Sequence, residues 1–145
     1  MNGLDLLEED HKEFKKILKQ GEKAEGSAER KQLFDTLSRK LQIHERMEEE
    51  VLYPALKEHP KAKDIVLEGY EEHHVADVIV AELGATSTED ETWAAQWKVL
   101  GESLEHHIEE EEDEMFKKAK QIFDKDQLEA IGEAMAAIRA EEEVR

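Results

Sequence analysis

Residues 37–54 of this chain read LSRKLQIHERMEEEVLYP, and this stretch decides the fold. Within it, apolar residues recur every three or four positions, as they do on one face of an α-helix. Each helical residue turns by about 100°, so His44 shares the face of Leu37 and Val51, and Glu48 joins that face one turn later. The stretch therefore predicts an amphipathic helix that buries a histidine and a carboxylate among apolar side chains.

The composition extends this helical prediction to nearly the whole chain. Its 145 residues are enough for one hydrophobic core, and only 2 prolines and 7 glycines interrupt a sequence rich in helix-forming residues. We predict an all-α fold, an up-down-up-down four-helix bundle with an additional C-terminal helix. The bundle core is expected over about residues 4–123 and the C-terminal helix over about residues 126–142, within a single domain of residues 1–145.

Helix signals divide the predicted bundle. Ser27 is a good N-cap for the second helix, and Pro54 and Pro60 bracket the end of that helix. Thr88 and Glu91 have capping-box spacing for the fourth helix. The first helix is expected over about residues 3–20, the third over about 60–83, and the fourth ends near 123.

Charge and cysteine content exclude several classes of protein. A net charge of −18 repels nucleic acid and anionic lipid, so we expect neither nucleic acid nor a membrane as partner. The absence of cysteine excludes disulfides, thiolate metal sites and a cysteine nucleophile. No apolar run approaches the roughly 18 residues of a membrane helix, and the N-terminus lacks a signal-peptide pattern. We expect a soluble, cytoplasmic protein.

Each of the four predicted helices places a histidine on its apolar face. His11 is central to the apolar stripe of the first helix, His44 to that of the second, and His107 to that of the fourth. On the third helix the apolar periodicity favours His73 over His74 but leaves both open. One imidazole from each helix is therefore predicted to point into the bundle.

Carboxylates accompany these histidines. Glu48 and Glu111 lie four residues after His44 and His107 and share their helix faces. Asp77, four residues after His73, also points inward if that histidine does. A buried carboxylate without a partner costs several kcal/mol, and an unpaired polar group about 1–3 kcal/mol. A metal ion would satisfy all these groups at once.

The ligand types narrow the choice of metal. Imidazole with carboxylate and no thiolate suits iron or manganese, and zinc is less suited. Four histidines and at least two glutamates are too many ligands for one tetrahedral zinc ion. Two ions bridged by carboxylates fit better, so the sequence predicts a di-metal centre inside the bundle.

The segments around these residues resemble the HHE pattern of the hemerythrin superfamily over about residues 4–123. They are Glu9-Asp10-His11, the run from His44 to Pro54, Glu71-Glu72-His73-His74, and the run from His106 to Glu112. The resemblance implies two oxo- or hydroxo-bridged irons that meet dioxygen or peroxide, in dioxygen or iron sensing, storage or oxidative-stress response. It also implies bridging by Glu48 and Glu111 and terminal ligation by His11, His44, His73 and His107.

A weak internal repeat accompanies the pattern. His11 precedes His44 by 33 residues, and His73 precedes His107 by 34. Leu52-Tyr53 after the first motif is echoed by Met115-Phe116 after the second, which aligns His107 with His44.

Two departures from the dioxygen carriers of the family stand out. Those carriers have His-x-x-x-His on the third helix, where this chain has Asp77 as the second position. They also place the fourth-helix carboxylate five residues after the histidine, which here is Glu112, so Glu112 stays an alternative to Glu111. The first departure argues against reversible dioxygen carriage.

Three alternatives remain at this stage. A ferritin-like di-iron oxidase or iron-binding protein would use Glu8-x-x-His11 and Glu71-x-x-His74, but it would leave His44 and His107 buried without a role. A di-iron peroxidase-like or catalase-like enzyme would need a proton donor, and the spacing commits none. A metal-free interaction module is the third. A sensing role would need a separate protein partner, which the sequence does not identify.

Overall fold

The chain is helical nearly throughout in a computed structural model that describes all 145 residues. Two π-helical segments, π1 and π2, join α-helices end to end. In chain order the elements are α1 (Gly3–Lys23), α2 (Ser27–Met47), π1 (Glu48–Leu52), α3 (Tyr53–Lys57), α4 (Lys63–Gly84), α5 (Trp93–Glu110), π2 (Glu111–Met115), α6 (Phe116–Ile122) and α7 (Lys125–Glu143). None of these helices is long and apolar enough to cross a membrane.

Four rods form the bundle. They are α1, the continuous run α2–π1–α3, α4, and the continuous run α5–π2–α6. α1 packs against α2 and α5, α4 packs against α5 and α3, and α7 lies across α1 and α2. The prediction of an all-α four-helix bundle with an additional C-terminal helix is confirmed.

The second rod ends between Pro54 and Pro60, where the sequence predicted the end of the second helix. Pro54 is the second residue of α3, in the first turn after π1. Proline is tolerated in a first turn because its fixed φ suits the helix and the missing N–H is not needed there. The rod therefore ends at Lys57, and the chain turns before α4 begins at Lys63.

The loop before α5 is held by other contacts than the capping box predicted for Thr88 and Glu91. Thr92 is the N-cap of α5 and makes no side-chain capping bond. Thr88 instead contacts the hydroxyl of Ser27, and its carbonyl oxygen accepts a hydrogen bond of 2.8 Å from Arg30. The capping-box prediction is wrong because the loop packs against the start of α2.

Two hydrophobic clusters fill the bundle. The first includes Leu4, Leu7, Met47, Leu56, Val66, Phe116, Leu128 and Met135. The second includes Phe14, Leu18, Leu37, Leu41, Leu83, Trp93, Trp97 and Leu104. His11 follows Leu7 of the first cluster and precedes Phe14 of the second along α1, so the predicted metal ligands lie between the clusters.

α7 closes the first cluster from outside the four rods. Its N-cap Asp124 forms a capping box with Gln127, and Leu128 and Met135 are buried. Gly132 packs so closely against the start of the chain that a Cβ there would overlap the Met1 carbonyl. The position of α7 relative to α1 is therefore tightly constrained.

Replacement of Gly21 by alanine is expected to destabilise the bundle. Gly21 lies in the last turn of α1, and a Cβ there would overlap the indole ring of Trp97, which is buried and donates to the Leu18 carbonyl. Overpacking of this kind costs about 1–3 kcal/mol, measurable as a lower urea midpoint. The control is Gly101→Ala, where the Cβ makes only ordinary contacts and the midpoint should stay or rise. Equal losses in both variants would contradict the prediction.

Candidate metal centre

A buried polar layer lies between the two hydrophobic clusters. Every rod contributes to it, and it contains four histidines and two glutamates. They are His11 from α1, His44 and Glu48 from the second rod, His73 from α4, and His107 and Glu111 from the fourth rod. Each is at most 6% exposed. Groups of this kind stay buried only when they are paired with one another or hold a metal.

The layer divides into two half-sites that share both glutamates. The first half-site combines His11 and His44 with Glu48 and Glu111, and the second combines His73 and His107 with the same two glutamates. Within each half-site the four candidate ligand atoms lie within 4.8 Å of one another. The arrangement offers two adjacent positions for ions, with both carboxylates within reach of each.

All four imidazoles turn Nε2 toward the shared glutamates. The distances from Nε2 to the nearest carboxylate oxygens are 3.1 Å for His11–Glu111, 3.4 Å for His44–Glu48, 2.9 Å for His73–Glu48 and 3.2 Å for His107–Glu111. Four nitrogens and two carboxylates therefore converge on one small region of the interior.

The opposite ring nitrogen of every histidine contacts a second carboxylate, here called an outer carboxylate. The Nδ1 distances are 2.7 Å for His11–Glu112, 2.9 Å for His44–Asp10, 2.7 Å for His73–Glu49 and 2.7 Å for His107–Glu72. When Nδ1–H donates to the outer carboxylate, Nε2 is left free to face the layer. Metal-ligating histidines are held in this way by carboxylates behind them.

Several inward-facing atoms have no hydrogen-bond partner. They are Nε2 of His44, Nε2 of His107 and one carboxylate oxygen of Glu48, all completely buried. A buried polar atom without a partner costs about 1–3 kcal/mol, so three in one layer indicate that another species completes their coordination. Imidazole nitrogen and carboxylate oxygen suit a divalent or trivalent metal ion, and the residues of the layer fit a pair of such ions.

Burial by itself would lower the pKa of these imidazoles, but the neighbouring carboxylates outweigh it. The charge of Glu48 and the hydrogen bond to Asp10 raise the pKa of His44 to about 10. Glu48 also raises the pKa of His73 to about 9. The charge of Glu111, one turn after His107, raises the pKa of His107. Burial would raise the pKa of Glu48, yet the charge of His44 holds it well below its usual value. Without metal, protons therefore hold the layer together.

Each shared glutamate begins a π-helical segment. Glu48 opens π1 and Glu111 opens π2, and the N–H five residues later bonds to the glutamate carbonyl. Residues five apart differ in direction by about 140° in an α-helix, whereas π-type bonding widens the turn and brings the fifth residue closer to the face of the first. Tyr53 and Phe116 are these fifth residues, so both rings reach the layer. Tyr53 stacks on His73 and Phe116 on His11, at 5.3 Å and 5.9 Å between ring centroids.

The Tyr53 hydroxyl lies inside the layer. It donates a hydrogen bond of 2.8 Å to Glu111 and lies 3.3 Å from Nε2 of His73. Burial and the charge of Glu111 raise the pKa of the phenol well above its usual value, so it stays protonated. Gly69 leaves room for it, because a Cβ at that position would lie 2.9 Å from the hydroxyl oxygen. The centre therefore contains a protonated phenol that donates a hydrogen bond to one of the two shared glutamates.

A small cavity borders the layer on the side of the second hydrophobic cluster. Its volume is about 10 Å³, enough for roughly one water-sized molecule. The four histidines, Glu45 and Glu72 form its polar lining. The apolar part of the lining consists of Phe14, Leu41, Ala76, Leu104 and Ile108. The space beside the candidate ligands admits only very small molecules.

Three of the weaker candidate ligands lie outside the layer. His74 and Asp77 are exposed on α4, and Asp77 lines an open groove between α2 and α4 together with Glu45. Glu112 is 33% exposed and contacts the outer nitrogen of His11. The structure thus gathers the six residues that the sequence favoured and separates these three from them.

The outer carboxylates as a set escaped the sequence reasoning. Asp10 and Glu72 directly precede His11 and His73, and Glu49 and Glu112 directly follow Glu48 and Glu111. Each contacts a histidine of another rod, and adjacency in sequence does not reveal which one. The one sequence signal that could have identified these residues is an acidic residue directly beside an inward-facing one, at the border of the apolar stripe.

Comparison with known families matches the geometry. A family model described as the Hemerythrin HHE cation binding domain matches residues 2–119. The chain belongs to this family. The resemblance inferred from the HHE motifs is confirmed, and in this member a buried layer of histidine and glutamate is able to bind metal.

Relatives of similar length occur in mycobacteria. The uncharacterized proteins Rv2633c of Mycobacterium tuberculosis and Mb2666c of Mycobacterium bovis are each 34% identical to this chain over 139 residues, which is 94% of this chain and 84% of theirs. A crystal structure of an HHE cation binding domain-containing protein from Mycobacterium kansasii, described as an Rv2633c homolog, superposes with a TM-score of 0.88 at 29% identity. The superposition covers 98% of this chain and 87% of that one.

The metal-free chain is expected to lose stability at alkaline pH. The folded pKa values of His44 and His73, about 10 and about 9, lie above the usual 6.5 of an unfolded histidine. Their contribution is therefore complete below pH about 6.5 and is lost as pH rises through about 9 to 10. Urea midpoints of the metal-free chain should fall between pH 6.5 and 9.5. His73→Gln should show a shallower fall, and a midpoint that is constant over this range would refute the charged-imidazole description.

Proposed function

We propose that this chain is a non-heme di-iron protein that binds dioxygen or a related small oxidant such as peroxide. The observation that carries the proposal is the pair of half-sites that share two buried carboxylates. Each half-site would hold one iron through its two histidines, and Glu48 and Glu111 would be shared between the two ions. Iron supplies the redox chemistry, and manganese or zinc is the weaker assignment for this nitrogen and oxygen ligand set.

The surroundings of the layer support a small ligand. Hydrophobic clusters on both sides exclude water, and the adjoining cavity of about 10 Å³ has a partly apolar lining. An organic substrate does not fit this space, whereas a diatomic molecule or a peroxide matches its size and its partly apolar lining. The chain's own residues therefore select by size, and the outer carboxylates keep each imidazole aimed at the ions.

The position of Asp77 bears on the physiological role. It is exposed in the groove between α2 and α4, so α4 offers a single inward histidine, His73. The dioxygen carriers that the sequence resembles have a second histidine at this position. The proposal therefore favours dioxygen or iron sensing, storage or oxidative-stress response in the cytoplasm over reversible dioxygen carriage.

Iron stoichiometry tests the ligand assignment. The wild-type chain is expected to bind about two irons, and His73→Ala should lose one of them because its half-site keeps one histidine. His74→Ala changes the adjacent, exposed histidine of the same helix and should keep both irons. Metal analysis after anaerobic reconstitution measures the result. A ferritin-like arrangement, which uses His74 and leaves His44 free, predicts loss in His74→Ala and retention in His44→Ala.

The optical spectrum of aerobically purified protein tests the identity of the metal. Oxo- or hydroxo-bridged di-iron should show near-ultraviolet charge-transfer bands that disappear in Glu48→Gln, because the bridge loses a carboxylate. A colourless wild-type protein with one zinc per chain would overturn the proposal.

A second candidate is a peroxide-consuming enzyme that converts two hydrogen peroxide molecules into dioxygen and two waters. The specific observation that favours it is the Tyr53 hydroxyl, buried in the layer and 2.8 Å from Glu111. Tyr53 would be able to donate a proton at the centre and recover it through this carboxylate, as a general acid does.

Replacement of Tyr53 by phenylalanine separates this candidate from simple binding. The variant should keep about two irons per chain, while the rate of peroxide consumption falls by about 100-fold, the lower range of a lost general acid. Tyr70→Phe is the matched control, since that half-buried ring packs on Tyr53 but makes no hydrogen bond to the layer. An unchanged rate in Tyr53→Phe with full iron content would exclude the proton-donor role.

A further inference from the structure

The C-terminal helix reaches the polar layer through two successive hydrogen bonds. Arg139 of α7 donates to Asp10 of α1 at 2.7 Å, and Nδ1 of His44 on α2 lies 2.9 Å from the other oxygen of the same carboxylate. The three side chains are 29%, 15% and 3% exposed, so the connection runs from the surface into the core. It links three separate helices across a sequence distance of 129 residues.

This connection is unique among the four histidines. Asp10 is the one outer carboxylate that pairs with an arginine, whereas Glu49, Glu72 and Glu112 contact no lysine or arginine. Glu72 has a histidine, His106, and further carboxylates as its neighbours instead. The two halves of the layer are otherwise similar, but they differ at Asp10. The difference comes from Arg139, which belongs to α7 and not to the four rods.

The placement of Arg139 is fixed by contacts that do not involve the layer. Gly132 packs against the backbone at the start of the chain. Glu142, one turn after Arg139, accepts hydrogen bonds from Arg46 at 2.6 Å and Arg39 at 3.2 Å, both from α2. The close approach at Gly132 and the Arg46–Glu142 pair are sufficient to hold α7 against α1 and α2, with Arg139 beside Asp10.

We propose that Arg139 is a positioning residue of the metal centre. It holds one oxygen of Asp10, which leaves the other oxygen facing His44, and Asp10 in turn keeps Nε2 of His44 directed at Glu48. Without the guanidinium, Asp10 is free to rotate toward water, and the His44 ring loses the support that fixes its direction. The inference rests on the proposed di-metal function, since it assigns His44 as a ligand.

The proposal makes the two half-sites depend differently on α7. The first half-site, with His11 and His44, needs the C-terminal helix for one of its two histidines. The second half-site, with His73 and His107, is supported by carboxylates of α2–π1 and α4 alone. Loss of Arg139 should therefore weaken one ion and spare the other.

Titration of the metal-free chain with Co²⁺ in anaerobic buffer tests this dependence. Arg139→Gln removes the charge at similar length, and Arg139→Lys retains it. Arg39→Gln is the matched control, because it removes another arginine between α2 and α7 that contacts Glu142 and no outer carboxylate. Removal of a partner behind a metal ligand typically costs 10- to 100-fold in affinity, so we expect about tenfold for this more distant residue.

The expected result is two Co²⁺ ions per wild-type chain, with one of the two affinities about tenfold weaker in Arg139→Gln. Arg139→Lys should restore most of that affinity, and Arg39→Gln should leave both affinities unchanged even if its thermal midpoint falls equally. Wild-type affinities in Arg139→Gln would overturn the proposal. An equal weakening in Arg39→Gln would also overturn it, because general docking of α7 would then explain the effect.

A second readout needs no metal. In ¹⁵N-labelled metal-free protein, the Nδ1–H proton of His44 should give a protected, slowly exchanging resonance in wild type and in Arg39→Gln, and this resonance should be lost in Arg139→Gln. Its persistence in Arg139→Gln would refute the positioning role. If the wild-type chain bound only one Co²⁺ ion, the proposed di-metal function would fail, and this resonance would still decide whether Arg139 orients His44.

Discussion

The structure depends on the burial of two carboxylates, Glu48 and Glu111, among four imidazoles in a layer closed off from bulk solvent. Two like charges in such surroundings repel strongly, and each also loses its hydration. Hydrophobic clusters above and below keep solvent from hydrating the two carboxylates. Their negative charge is balanced either by protonated imidazoles or by metal ions that neutral imidazoles help to bind. The six side chains therefore act as one unit, and their positions constrain every rod of the bundle.

The layer is built with approximate twofold symmetry. Asp10 behind His44 corresponds to Glu72 behind His107, and Glu49 behind His73 corresponds to Glu112 behind His11. Each shared glutamate opens a π segment, and each π segment turns an aromatic ring onto a histidine of the other half. The repeat of 33 to 34 residues in the sequence is thus reproduced as two half-sites that share their carboxylates.

Two departures from this symmetry carry chemical meaning. Tyr53 brings a hydroxyl to the centre where its counterpart Phe116 brings none, so a single hydroxyl lies on one side. Arg139 neutralises the outer carboxylate of His44 and of no other histidine. The first difference arises within the bundle, and the second comes from α7. Both distinguish half-sites whose inner ligands are otherwise the same in kind.

The sequence by itself determined the fold class and the inward-facing candidates. Helical periodicity is a local property, so the positions of His11, His44 and His107 on apolar stripes can be read from residues within two turns. The same local reasoning favoured His73 and Glu111 over their neighbours His74 and Glu112. It misjudged the capping box at Thr88, because contacts with the start of α2 hold that loop instead.

Only the tertiary structure decided how these side chains meet. The outer carboxylates reach histidines of other rods, and Arg139 reaches His44 across 95 residues of sequence through Asp10. Such pairings depend on which helices pack together and at what height, which no periodicity within one helix encodes. The π segments belong to the same category, because the histidines on which Tyr53 and Phe116 stack after them lie on other helices. The sequence determined the faces of the helices, and packing determined their contacts.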